Sequence, residues 1–288
     1  MSRIEEALAK AAGMQPGTKA QGARPAQAVA AAPVASDTAA PGNGAAASRA
    51  PMAAAIQAVR LPEETMMVVN APLSPVAEEF RKLKESLVKM TRRERFDNLI
   101  AVTSATVAEG KSMTAVNLAA SLAGEFDHTV LLVDADLRRP TVHKYLGLGP
   151  RKGLSDCLRE GLDIGELLVR TDIGKLTVLP AGTPVPNPVE LFSSEAMRLL
   201  FQELKHRYPD RYIIIDTPPV LPFAETRSVA AMSDGVLLVV KEGQPSLAQV
   251  EDAIEALDGK VLGIVYNGAQ SQARSSYYSY YGQYGQAE

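Results

Sequence analysis

The sequence predicts an α/β protein built on one doubly wound, mostly parallel β-sheet. Short apolar runs alternate with helical patterns from residue 98 onward, and the runs are nearly continuous, as in strands covered on both faces. Parallel neighbours require crossover connections, which are right-handed. The chain has 288 residues, enough for one large domain or two small ones. We expect one domain, over residues 74–270.

Composition excludes several classes of protein. A single cysteine, Cys157, excludes a disulfide framework, and the three histidines have no zinc-site spacing, so a metal would need oxygen ligands. The net charge of -3 argues against a dedicated nucleic-acid surface. No apolar run approaches the roughly 20 residues of a membrane span, and the N-terminus lacks a signal-peptide pattern. We therefore expect a cytoplasmic protein with only indirect membrane association.

Both ends of the chain have biased composition. The first 60 residues include 22 Ala, 5 Pro and 5 Gly, which predicts a disordered arm over residues 1–73. Residues 1–12 form either a short docking helix or a fraying helix without a partner. Residues 271–288 have no periodicity and predict a flexible tail. That tail holds five of the nine tyrosines: Tyr277, Tyr278, Tyr280, Tyr281 and Tyr284.

The elements between these ends follow from periodicity. Apolar residues spaced by three and four from Val76 to Met90 predict an amphipathic helix that begins after Ser74 and ends near Lys89. Short apolar runs then predict six strands, at residues 98–104, 129–134, 176–180, 212–216, 235–240 and 261–267. Helical patterns separate them at residues 112–123, 189–206, 224–232 and 246–257.

The segment after the first predicted strand has the layout of a phosphate-binding P-loop. Residues 105–112 read ATVAEGKS and run directly into a helical pattern. In such a loop, backbone N–H groups and a helix N-terminus bind phosphate, Lys111 contacts the terminal phosphates, and the Ser112 hydroxyl joins a magnesium ligand set. Ala105 replaces the usual leading glycine and must adopt a conformation that alanine tolerates. The alternative is a plain strand-to-helix turn with a surface lysine.

Three aspartates follow two predicted strands. Asp134 ends the second predicted strand and Asp136 lies two residues later, and Asp216 ends the fourth predicted strand. The carboxyl ends of parallel strands share one edge of a sheet, so we expect these carboxylates to lie beside the loop. They could hold magnesium and accept a proton, or merely cap helices and form turns. Together with the loop they predict a P-loop NTPase fold.

At these residues the sequence resembles the bacterial tyrosine kinases (BY-kinases) of polysaccharide export, whose fold is MinD/ParA-like. Residues 105–112, 131–139 and 213–219 resemble the three Walker elements of that family, and the stretch from Asp134 to Pro140 is typical of it. The resemblance implies ATP and Mg²⁺ as cofactors and Lys111, Asp134, Asp136 and Asp216 as catalytic residues. Ser112, Asp134 and Asp216 would hold the metal. Implied nucleotide-binding residues are Ala108, Glu109, Gly110, Lys111, Ser112, Met113, Arg138 and Asn267.

The resemblance also implies how the protein is assembled and modified. The family's oligomerisation motif matches Glu78, Arg81 and Lys84, with lysine in place of the last arginine, so a ring would be weaker or differently arranged. The five tail tyrosines would be phosphoacceptors, modified in trans. Implied partners are a separate transmembrane polysaccharide co-polymerase that activates the kinase at the inner membrane and a cognate phosphotyrosine phosphatase, but no nucleic acid.

Two other functions remain open at the level of sequence. A MinD- or ParA-type ATPase switch would share the fold, but those proteins carry a second lysine early in the loop, where this chain has Thr106. A non-catalytic module would bind nucleotide only to control assembly. The tail itself could be a low-complexity segment that self-associates. The leading prediction is a tyrosine autokinase that regulates exopolysaccharide polymerisation and export.

Overall fold

The computed structural model of the chain describes residues 56–58, 65–92, 96–125, 128–207 and 210–269. The predicted docking helix at residues 1–12 and the tyrosine-rich tail at residues 271–288 lie outside the described residues.

The centre of the fold is one eight-stranded sheet with strand order β1-β4-β5-β3-β6-β2-β7-β8. The strands are β1 (Ile56–Gln57), β2 (Leu99–Ser104), β3 (Thr129–Asp134), β4 (Val169–Thr171), β5 (Leu176–Leu179), β6 (Arg211–Asp216), β7 (Gly235–Lys241) and β8 (Val261–Asn267). The six predicted strands correspond to six neighbours in the sheet, β5, β3, β6, β2, β7 and β8. All pairings among these six strands are parallel. The short strands β4 and β1 extend one edge, and β4 runs antiparallel to β5.

Helices cover both faces of the sheet, as the doubly wound prediction requires. They are α1 (Met67–Asn70), α2 (Pro75–Thr91), α3 (Lys111–Ala123), α4 (Val142–Tyr145), α5 (Leu154–Glu160), α6 (Ile164–Leu167), α7 (Pro188–Phe192), α8 (Glu195–Arg207), α9 (Glu225–Met232) and α10 (Leu247–Ala256). Successive strand residues alternate between two buried clusters: Ile100 and Val102 pack with α2 and α3, whereas Leu99 and Ala101 pack with α5 to α10.

The predicted helix over residues 189–206 is wrong as a single element, because the chain forms α7 and α8 with a break at Ser193 and Ser194. The Ser194 hydroxyl donates to the Leu191 carbonyl at 2.7 Å and accepts from the Met197 amide at 3.2 Å. This side chain therefore satisfies backbone groups that a continuous helix would pair internally.

The folded unit also includes residues that the sequence assigns to the N-terminal arm. Met66 is fully buried. The Asn117 side chain in α3 donates to the Thr65 carbonyl at 2.8 Å and accepts from the Val68 amide at 3.2 Å. These contacts attach the segment to the domain through a side chain about 50 residues away in sequence. Within the described ranges, no helix is both long and apolar enough to cross a membrane.

Candidate functional site

The loop between β2 and α3 has an unusual backbone. Ala108 and Gly110 both have positive φ, at 62° and 90°, and Gly110 is the N-cap of α3. A Cβ atom on Gly110 would lie 2.2 Å from the Asn267 side-chain nitrogen, so any other residue here would displace Asn267 and be strained at positive φ. The first N–H groups of a 13-residue helix thus open directly onto the loop, which is the geometry of an anion-binding site.

Lys111 begins α3 and lies among the predicted acidic groups. Its ammonium nitrogen is 2.7 Å from Asp136 Oδ2, 3.6 Å from Asp216 Oδ1 and 3.1 Å from the Ser112 hydroxyl. Burial lowers the pKa of Lys111, but Asp216 and Asp136 outweigh it and raise the pKa above its usual value. The lysine therefore stays protonated and carries its charge into the site.

Sheet register explains why the aspartates converge. Asp134 and Asp216 end adjacent parallel strands and are direct partners across the β3–β6 pair. Asp134 is fully buried and accepts from the Val142 amide at 3.1 Å and the Asp136 amide at 3.3 Å. Burial, together with the carboxylates of Asp216 and Asp136, raises the pKa of Asp134 well above its usual range. The carboxylate sits in a position where its charge needs a compensating cation.

Asp216 lies beside Lys111 at the same edge of the sheet. It is fully buried, and neither carboxylate oxygen has a hydrogen-bond partner among the described residues. Burial raises the pKa of Asp216 to about 6, against the lowering influence of Lys111. A buried carboxylate without hydrogen-bond donors is costly unless a cation or ligand satisfies it, so Asp216 is suited to take a metal cation beside the Lys111 ammonium group.

The donor set fits magnesium better than a metal held by protein alone. Among the described residues, no group of three or more histidine, cysteine, aspartate or glutamate side chains is arranged to hold a metal ion. Magnesium usually takes one or two carboxylates and completes its shell with water and phosphate oxygens. Two oxygen ligands of that kind lie beside the Lys111 ammonium nitrogen: Asp216 Oδ1 at 3.6 Å and the Ser112 hydroxyl at 3.1 Å.

Three other predicted nucleotide-binding residues differ in their surroundings. Asn267 donates from its side chain to the Glu109 carbonyl at 2.8 Å, so it contacts the loop backbone directly. Arg138 instead forms an ion pair with the buried carboxylate of Glu225 and lies 4.6 Å from the ring centroid of Phe223. Met113 is half-buried next to Gly110.

The predicted oligomerisation residues lie on α2. Glu78 and Arg81 are exposed and form an ion pair with each other, and Arg81 also donates to the Pro72 carbonyl. The Lys84 side chain is only 12% exposed and lies 2.7 Å from Glu125. Within one chain, Lys84 therefore faces the domain rather than the surface that Glu78 and Arg81 share.

Several side chains at the site were not predicted from sequence. Glu225 pairs with Arg138, and the Val142 amide holds Asp134. The Glu109 side chain is fully buried, whereas the loop pattern predicts only a residue that lines the phosphate site. No spacing in the sequence predicts these contacts, because the partners come together only in the folded protein.

Sequence relatives identify the family. A family model described as "AAA domain" matches residues 97–259. The tyrosine-protein kinase YwqD of Bacillus subtilis is 34% identical over 223 residues, 76% of this chain and 92% of that protein. The succinoglycan biosynthesis transport protein ExoP of Rhizobium meliloti is 34% identical over 212 residues, which cover 70% of this chain but 26% of that protein.

Solved structures agree with the sequence relatives. The kinase domain of the Escherichia coli tyrosine kinase ETK matches with a TM-score of 0.68 and 29% identity, over 74% of this chain and 84% of that one. The septum site-determining protein MinD of Pyrococcus horikoshii, complexed with Mg-ADP, matches with a TM-score of 0.50 and 22% identity over 61% of this chain and 72% of that one. The second likeness shows the fold alone, and it confirms the predicted MinD-like P-loop architecture. Fold, loop geometry and relatives together confirm the resemblance drawn from the sequence: the chain belongs to the family of bacterial tyrosine-protein kinases.

Proposed function

We propose that this protein is an ATP-dependent tyrosine autokinase that phosphorylates its own tail in trans. The observation that carries the proposal is the position of Lys111, whose ammonium group lies 2.7 Å from Asp136 and 3.6 Å from Asp216 at the start of a helix preceded by a left-handed glycine. This arrangement joins a phosphate-binding loop to carboxylates, as a phosphoryl-transfer site requires. The acceptors would be Tyr277, Tyr278, Tyr280, Tyr281 and Tyr284.

The proposal assigns a role to each side chain of the site. Lys111 and the loop amides bind the phosphates of ATP. Ser112, Asp216 and Asp134 hold Mg²⁺, which neutralises phosphate charge when bound. Asp136, already paired with Lys111 at 2.7 Å, orients that lysine. Positioning and charge compensation provide most of the catalysis in this class of reaction.

The transfer step is an in-line displacement at phosphorus. A tail tyrosine loses its hydroxyl proton to one of the three aspartates, and its oxygen forms a bond to the γ-phosphorus. The bond from that phosphorus to the bridging oxygen breaks, and ADP leaves with the electron pair.

Tail length supports transfer between molecules. An extended tail of 18 residues, 271–288, spans at most about 60 Å. That distance is enough for one chain to present its tyrosines to a second chain in an assembly. We place Glu78 and Arg81 at the contact between subunits, whereas Lys84 pairs with Glu125 within its own chain. The likeness to a succinoglycan biosynthesis transport protein supports a role in exopolysaccharide polymerisation and export. The proposal adds a transmembrane co-polymerase as activator and a phosphatase that resets the tail.

The catalytic assignment is tested by phosphopeptide mapping after incubation of the purified protein with Mg-ATP. We expect phosphotyrosine confined to the tail of the wild type and none in Lys111→Met. The matched control is Lys152→Met, because Lys152 is an exposed lysine paired with Glu160 and should leave the map unchanged. Tail phosphorylation that persists in Lys111→Met contradicts the proposal. ATP hydrolysis without any phosphotyrosine indicates a MinD-type switch instead.

Transfer in trans needs a mixing experiment. Lys111→Met retains the acceptor tail, whereas a variant with all five tail tyrosines changed to phenylalanine retains the site. Neither variant alone should gain phosphotyrosine, and the mixture should label the tail of Lys111→Met at a rate that rises with the concentration of the phenylalanine variant. A mixture that stays unlabelled, while the wild type labels itself, shows that transfer occurs within one chain.

A further inference from the structure

The Glu109 side chain is a buried carboxylate inside the phosphate-binding loop. It is fully buried. One oxygen accepts from the Thr106 amide at 2.5 Å and from the Thr106 hydroxyl at 2.9 Å, and the other accepts from the Lys241 amide at 3.1 Å. A carboxylate that accepts several N–H and O–H groups is held firmly, because charge-assisted hydrogen bonds are the strong ones.

These contacts join parts of the chain that are far apart in sequence. Thr106 lies three residues before Glu109, whereas Lys241 ends β7, a strand 132 residues later. The Glu109 carbonyl accepts in addition from the Asn267 side chain at the end of β8, at 2.8 Å. The loop is therefore fixed at Glu109 to two strand ends, through its side chain and through its main chain.

The residues on either side of Glu109 show what this attachment holds in place. Ala108 has φ of 62° and Gly110 has φ of 90°. The left-handed region is unfavourable for alanine, and such a residue persists only where its surroundings determine its conformation. Between these two positions, Glu109 supplies hydrogen bonds that fix the path of the backbone just before the helix N-terminus.

We propose that Glu109 is a positioning residue whose carboxylate holds the loop, Ala108 included, in the conformation that binds nucleotide phosphates. The inference rests on the proposed nucleotide site and adds to it a residue that acts through the backbone. Its side chain forms no hydrogen bond with Lys111 among the described residues, and the proposed effect on phosphate binding acts through the shape of the loop. Because the loop is already ordered, less conformational entropy is lost when nucleotide binds, as in other pre-organised sites.

The test measures binding of Mg-ADP by titration calorimetry to the full chain. Glu109→Ala should weaken binding about 10- to 100-fold, since it removes three hydrogen bonds to a charged acceptor. Glu109→Gln preserves the shape of the side chain but places its NH₂ group against an N–H donor of Thr106 or Lys241. It should weaken binding by a smaller factor than Glu109→Ala. The readout in catalysis is the KM for ATP, which should rise more than kcat falls.

Two further variants separate positioning from general destabilisation. Asp156 is also a buried carboxylate that accepts two backbone amides, from Gly153 and Thr183, but it packs beside β5, three strands from β2. Asp156→Ala should lower the melting temperature and leave Mg-ADP affinity within about twofold. Adding Ala108→Gly to Glu109→Ala should recover at least about threefold of the lost affinity, because glycine adopts positive φ without strain.

The outcomes are distinct. The inference is overturned, and the proposed function stays intact, if the wild type binds Mg-ADP and the affinities of Glu109→Ala and Glu109→Gln both lie within twofold of the wild-type affinity. A double variant no tighter than Glu109→Ala also overturns it, because Ala108 would then not be what Glu109 holds. Failure of the wild type to bind Mg-ADP at all overturns the proposed function, and the inference with it.

Discussion

Substitution of Gly110 by alanine tests how closely the loop and β8 approach each other. The added Cβ would lie 2.2 Å from the Asn267 side-chain nitrogen, and the residue would keep a φ of 90°. Two costs follow. Alanine is strained at positive φ, and Asn267 must move away, which breaks its hydrogen bond to the Glu109 carbonyl.

The magnitude follows from these two costs. Left-handed backbone costs an alanine roughly 1–2 kcal/mol, and loss of one hydrogen bond costs roughly 0.5–1.5 kcal/mol. We therefore expect Gly110→Ala to lower the free energy of unfolding by about 1.5–3.5 kcal/mol. Asn267→Ala alone loses only the hydrogen bond. In the double variant that bond is lost once, so the two effects should fall short of additivity by about 0.5–1.5 kcal/mol.

Urea unfolding of the four proteins, evaluated by linear extrapolation, measures these free energies. Gly149→Ala is a matched control, because a Cβ on Gly149 meets no atom within 4 Å, and it should leave stability unchanged or raise it by less than about 1 kcal/mol. The reasoning is refuted if the single effects of Gly110→Ala and Asn267→Ala add to the double within about 0.3 kcal/mol. A Gly110→Ala protein as stable as the control refutes it as well.

Two other positions give predictions for stability. Asp156→Ala leaves the amides of Gly153 and Thr183 without their acceptor and should cost about 2–4 kcal/mol in urea unfolding. Burial raises the pKa of Asp156, but the hydrogen bonds from Thr183 and Gly153 lower it by more, so the net pKa lies below its usual value. The stabilisation that depends on ionised Asp156 should therefore be complete above about pH 4 and disappear as the pH falls through the lower pKa of the folded state. The free energies of unfolding of wild type and Asp156→Ala should converge in acid. Arg138→Ala leaves the buried Glu225 carboxylate unpaired and should lower the melting temperature more than the double variant Arg138→Ala, Glu225→Gln does.

Periodicity and apolar runs were sufficient to predict the central sheet. Strands β2, β3, β6 and β7 are buried on both faces, so each appears in the sequence as a nearly continuous apolar run. The short strand β4 was not predicted, because three residues with one exposed side chain have no distinctive pattern. The break between α7 and α8 depends on one serine hydroxyl, which hydrophobic periodicity does not register.

The candidate site was predictable where local motifs determine it. Lys111, Ser112 and the strand-end aspartates follow from one loop pattern and two strand ends, and sheet register then brings Asp134 and Asp216 together. The contacts of Arg138 and Glu109 were not predictable, because their partners Glu225 and Lys241 lie 87 and 132 residues away in sequence. Such pairs depend on the order of strands, which a single sequence does not encode locally.

The loop tolerates the loss of its usual leading glycine because the strain lies elsewhere. In the described part of the chain, positive φ among non-glycine residues occurs at Ala108 and Asp258, so Ala105 does not have the conformation that would require glycine. Ala105 is instead fully buried, and its carbonyl accepts from the Leu221 amide at 3.3 Å. Positive φ occurs instead at Ala108 and Gly110, and only Ala108 is strained by it. Both residues lie next to the point where Glu109 and Asn267 attach the loop to β7 and β8. A P-loop can therefore dispense with glycine at its first position when side-chain hydrogen bonds fix the turn at its last residues.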